Sequence, residues 1–146
     1  LSRDDYSAAE LSTALQSESV VVVSIVARLL IRMKSLTKPV QQGLQATIER
    51  FYQRWQAQRL QFKKEQDWNG DLERTQQVVK QLLWSGVQQG VESPVMTQLL
   101  STQEKYERVF QLHILNALLA RDGLYDTTMV EQLTGLLQSP VHFFII

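Results

Sequence analysis

An all-α fold is predicted by three features of the 146-residue sequence. Apolar side chains recur at three- and four-residue spacings, helix-start and helix-stop residues punctuate the chain in order, and no segment alternates in the manner of a strand. Six or seven helices joined by short connections are expected.

Ser7-Ala-Ala-Glu10 has the spacing of a capping box and opens a short helix from about Ala8 to Gln16. The next segment runs from about Ser19 to Leu36. Its start, Val20 to Val23, is β-branched and would suit a strand, but the length of the segment and the four-residue spacing of Arg28 and Arg32 favour a helix. Lys38-Pro39 supplies a break, with proline suited to the first helical position. From Pro39 to about Lys64, an apolar stripe of Leu44, Ile48, Phe51, Trp55 and Phe62 predicts the longest helix, with Phe51 and Trp55 in the core.

Asp67-Trp68-Asn69-Gly70-Asp71 reads as a turn, and Asp71 as the N-cap of a fourth helix reaching about Gln89. Val78, Val79, Leu82, Leu83 and Trp84 form its expected buried face. Gly90 ends it and Ser93-Pro94 starts another. Ser101-Thr-Gln-Glu104 reads as a second capping box, which divides Pro94 to Ala120 into a short helix and a long one. Asp122-Gly123 closes that span, and a last helix opens at Thr128-Met-Val-Glu131 and stops at Ser139-Pro140.

Connections this short usually set consecutive helices antiparallel, as an up-and-down bundle or an irregular stack of helical hairpins. The segment Gln111 to Gln138 shows the pairing most clearly, with the turn Leu118-Leu-Ala-Arg-Asp-Gly-Leu-Tyr-Asp126 between two leucine-rich helices. Here the chain resembles the HEAT-like helical-repeat middle domains of translation-initiation scaffolds and of the large scaffold subunit of the Ccr–Not complex. The resemblance implies a scaffold and transfers no functional residue.

Composition sets the class. With 44% hydrophobic and 21% charged residues the chain is expected to fold, and its length suits one domain. Residues 1–146 are read as a helical domain of a larger protein, since the chain starts at Leu1 and ends on Phe143-Phe-Ile-Ile146. The absence of cysteine excludes disulfides, thiolate nucleophiles and cysteine-based metal sites, and fits an intracellular location, cytoplasmic or nuclear. The most apolar run, Val20 to Ile31, is too short for a membrane span, so no membrane role is expected.

No pattern points to catalysis, a cofactor, a metal or a small-molecule substrate, and the chain is read as a non-enzyme. His113 lies between Leu112 and Ile114 with no histidine or acid at ligand spacing and is expected to be half-buried in the fold. His142 stands alone in an apolar tail. Gly86 and Gly90 match no phosphate-binding loop.

Charge is the informative feature. Arg28, Arg32, Lys34, Lys38, Arg50, Arg54, Arg59, Lys63 and Lys64 are nine cations in a segment whose lone acid is Glu49. The chain as a whole is neutral, so a net +8 in this segment leaves −8 on the rest. Such a split creates a directional field that favours acidic partners. The expected function is a scaffold or adaptor contacting a protein with an acidic surface. The alternative is an RNA- or DNA-binding module using the same cations on phosphates. Tyr52 and Trp55 could stack on bases, though their spacing favours the core. The segment could also be a solvated helix face, or be neutralised within the molecule by Glu65, Asp67, Asp71 and Glu73.

Overall fold

Ser19 leaves the helical region of backbone space and its hydroxyl accepts the Val22 amide, so the valine run that follows starts as a helix. This and the other local choices are seen in a computed structural model, which describes residues 8–33, 35–62 and 69–122. Six helices occur among them: α1 (Ala8–Leu15), α2 (Val20–Arg32), α3 (Lys38–Arg59), α4 (Gly70–Gln88), α5 (Pro94–Leu100) and α6 (Arg108–Asp122). No described residue lies in a strand. The fold is all-α.

Several boundaries differ from the sequence expectation for definite reasons. Helix α2 ends at Arg32 rather than Leu36, because Gln89 donates to the carbonyls of Leu30 and Met33 and satisfies the helix end there. Helix α3 ends at Arg59 in a tightened turn rather than running to Lys64. The N-cap of α4 is Asn69, whose side chain accepts from the Leu72 amide, and not Asp71. Asp71 falls instead in the first turn, where the helix dipole favours a carboxylate, and pairs with Arg74.

The Ser101–Glu104 capping box does not form. Ser101 closes α5, its hydroxyl directed to the carbonyls of Thr97 and Gln98. Thr102 accepts the Glu104 amide, and the Glu104 carboxylate accepts the Glu107 amide, so α6 begins only at Arg108. Pro94 starts α5 as expected, Pro39 falls one residue inside α3, which begins at Lys38 after the N-cap Thr37, and Gly90, at φ 69°, terminates α4 in the left-handed region open to glycine. Ser7, Gly123 and the helix expected from Thr128 lie outside the described residues.

The helices pack as three pairs side by side. Helix α1 pairs with α2, α3 with α4 and α5 with α6; across the pairs α2 and α6 flank α4 while α1 and α5 flank α3. Side-chain pairings give the directions. Trp55, late in α3, bonds Gln76, early in α4, and Ile48 faces Gly86 further along, so these two run antiparallel. Ser24 with Gln81 and Ala27 with Ser85 set α2 parallel to α4. Trp84 against His113 and Gln88 with Ala117 set α6 parallel to it as well. The pairs thus form two layers, with α4 in the middle of one of them.

One continuous core joins the layers. Leu44, Ile48, Phe51 and Trp55 of α3 meet Val78, Val79, Leu82 and Leu83 of α4, with Phe110 and Ile114 of α6 closing one end. Phe62 and Trp84 are only partly buried against it. Burying a residue of this size contributes about 1.5–3 kcal/mol each, which is what holds short helices such as α1 and α5 in place. No helix among the described residues is long and apolar enough to cross a membrane.

Candidate binding surface

The structure divides the basic segment by helix. On α3, Arg50 donates to the carbonyls of Leu15 (2.8 Å) and Ser17 (3.0 Å), and its Nε lies 3.8 Å from a Glu18 oxygen. Arg54 donates to the Glu18 carbonyl at 3.1 Å. Both guanidinium groups also lie over the Phe51 ring. Arg50 therefore binds the C-terminal end of α1, where an orphan carbonyl and the negative end of the helix dipole attract a cation, and both arginines hold the connection from α1 to α2.

Arg59 sits between the Trp55 and Tyr106 rings, 5.4 and 5.6 Å from their centroids, and 3.7 Å from a Glu104 oxygen. Desolvated cation–π contacts of this kind contribute about 1–2 kcal/mol. The three α3 arginines are thus engaged in holding α1 and the α5–α6 connection.

The α2 cations are placed differently. Arg28 and Arg32 are exposed, and among the described residues neither has an ion-pair partner. Lys38, at the start of α3, is exposed too. Lys34, Lys63 and Lys64 lie outside the described residues, as do Glu65 and Asp67. Of the acids expected to neutralise the segment, Asp71 is paired with Arg74, and Glu73 lines the same groove as Arg28 without an ion pair to it.

That groove separates α2 from the first half of α4 and has a volume of about 920 Å³. Val20, Val21, Ser24, Ile25 and Arg28 line one wall; Glu73, Gln77 and Gln81 stand on the other. The Ser24 hydroxyl donates to Gln81 at 2.5 Å and ties the walls together. Beside it Val21 is 65% exposed, Ile25 51% and Val22 38%, the largest cluster of outward apolar side chains among the described residues.

Sequence reasoning did not single out these three side chains. The signal was present: four successive valines on a helix turn through about 300° (3.6 residues per turn), so one buried face cannot take them all. Val23 goes inside, fully buried, and Val21 goes out.

The titratable groups inside the fold serve packing. Tyr52 and Glu107 are both buried and hydrogen-bonded to each other, with Thr102, Gln56 and Gln98 completing the network. Burial and the Glu107 carboxylate raise the Tyr52 pKa well above that of a free phenol. His113 is half-buried against Trp84, and desolvation, with Lys80 nearby, lowers its pKa to about 4. Tyr52, Trp55 and Phe51 are core residues, as their spacing predicts, and present no face to a nucleobase. Among the described residues no three His, Cys, Asp or Glu side chains are grouped to hold a metal ion.

Comparison with known proteins leaves this surface to be read on its own terms: no protein-family model, no curated protein and no solved structure matches the chain.

Proposed function

We propose that this chain is a non-enzymatic helical scaffold or adaptor domain that docks a protein partner with an acidic surface inside the cell, in the cytoplasm or nucleus. The observation that carries this reading is the separation of the cations: α3 uses its arginines internally, while Arg28 and Arg32 of α2 are exposed beside valine and isoleucine, with no ion-pair partner among the described residues. Apolar anchors supply affinity in such an interface, and charge supplies rate and specificity. The stacked pairs give the face a rigid support, as in the helical-repeat scaffolds that the sequence resembles. The reading requires no cofactor or small-molecule substrate.

A nucleic-acid module would use the same cations on phosphates, and it is the second reading. It is the weaker one for a physical reason. Single strands gain much of their affinity from bases stacked on aromatic side chains. Among the described residues the fully outward large apolar side chains are aliphatic, Val21, Val22, Ile25 and Leu60, whereas Phe51, Tyr52 and Trp55 are buried.

Titration of the chain with labelled single-stranded RNA over a range of salt separates the readings. The scaffold reading expects nonspecific affinity only, with Kd of about 10⁻⁴ M or weaker at physiological salt. Tight binding with a steep log–log salt slope, abolished by Arg28→Glu/Arg32→Glu, would overturn it in favour of nucleic acid.

A further inference from the structure

We infer that the outward ridge of α2 is the docking site for an amphipathic acidic helix, whose apolar stripe seats on Val21, Val22 and Ile25 and whose carboxylates reach Arg28 and Arg32. The inference rests on the scaffold reading above and names the partner's chemistry.

Val21, Ile25, Arg28 and Arg32 follow one another at offsets of four, three and four, which places them on one helix face. All four are exposed. The stripe is apolar in its first half and cationic in its second. A hollow lies on each side of it. The groove of about 920 Å³ opens toward α4, and a cleft of about 230 Å³ lined by Leu11, Ala14, Val22, Val26 and Leu29 opens toward α1. Ile25 borders both. A ridge between two hollows is the relief that a second helix packs onto, side chains at three- and four-residue spacing entering the grooves.

A helix suits the site better than an extended peptide. An extended chain needs a sheet edge for its backbone amides and carbonyls, and this face offers side chains only; a helix satisfies its own backbone. The ends of the site differ in sign. Glu73 rims the wide groove, while Arg28 and Arg32 stand toward the other end of α2. Arg74, the remaining cation in the groove, is paired with Asp71. Carboxylates of a bound helix are therefore drawn to the arginines and repelled from the valine end. Glu73 at the groove rim also disfavours an anionic membrane, the other surface that valines and arginines together could meet.

The probe is a dye-labelled helical peptide on an alanine background, with two leucines one turn apart followed on the same face by two glutamates, and a matching peptide with lysines for the glutamates. Anisotropy titrations of the full chain should show binding of the glutamate peptide and weaker binding of the lysine peptide. Ile25→Ser, and separately Arg28→Glu/Arg32→Glu, should each weaken the glutamate peptide by about tenfold or more. The reversed chain should in turn gain affinity for the lysine peptide, an outcome that an unfolded variant could not give. Equal binding of both peptides, or indifference to Ile25→Ser, would overturn the inference. So would capture of phosphatidylserine vesicles without peptide binding, which assigns the face to membranes. Absence of peptide binding together with weak RNA binding removes the acidic helix and leaves the scaffold reading standing; tight RNA binding removes both.

Discussion

The hydroxyl of Tyr52, in the middle of α3, donates to the carboxylate of Glu107 just before α6, and both side chains are buried. Glu107 accepts further bonds from Thr102 and from Gln56, so the carboxylate is held by donors from α3 and from the turn that follows α5. This network fixes the start of α6 on α3. Tyr52→Phe should destabilise the chain by about 1–3 kcal/mol in urea unfolding, the cost of leaving a buried acceptor short of a donor. Because the folded Tyr52 pKa lies above the unfolded value of 10.0, its contribution is fully present below pH 10.0 and lost as pH rises beyond it. An ultraviolet titration should show Tyr52 still protonated where an exposed tyrosine has ionised.

Trp55 is fully buried, its Nε1 donates to Gln76 at 3.1 Å, and its ring meets Phe110 edge-on at 4.8 Å. Trp55→Ala should cost about 3–5 kcal/mol, measured by equilibrium denaturation. A loss below about 1 kcal/mol would place Trp55 outside the core.

His113 gives the chain a dependence on mild acid. Its folded pKa of about 4 lies below the unfolded value of 6.5, so the unfolded state takes up the proton first as pH falls. The stability it contributes is present above pH 6.5 and lost progressively toward pH 4. His113→Gln should flatten that part of the pH profile relative to the parent chain, as read from urea midpoints across the window.

The fold was legible in the sequence because its signals are local. Ser19, Pro39, Gly90 and Pro94 each act on the residues beside them, and the stripe from Leu44 to Trp55 needs only the helical period. Boundaries set by distant groups were not legible. The end of α2 depends on Gln89, more than fifty residues away, and the start of α6 on how Thr102 and Glu104 share amides. The same distinction governs the surface. Arg28 and Arg50 are both cations at four-residue spacing from another arginine, and nothing local tells them apart. Only the packing of α1 against α3 brings the carbonyls of Leu15 and Ser17 to Arg50, while no such group among the described residues reaches Arg28.

That difference can be measured directly by comparing the unfolding of two double reversals. Arg28→Glu/Arg32→Glu should change stability by no more than about 0.5 kcal/mol, as expected of exposed charges. Arg50→Glu/Arg54→Glu should cost about 1.5 kcal/mol or more, because it removes charge-assisted bonds to the carbonyls of Leu15, Ser17 and Glu18 and sets acids beside Glu18. Equal, small losses from both pairs, or a larger loss from the α2 pair, would contradict the division of the basic segment into arginines that hold the fold on α3 and exposed arginines on α2.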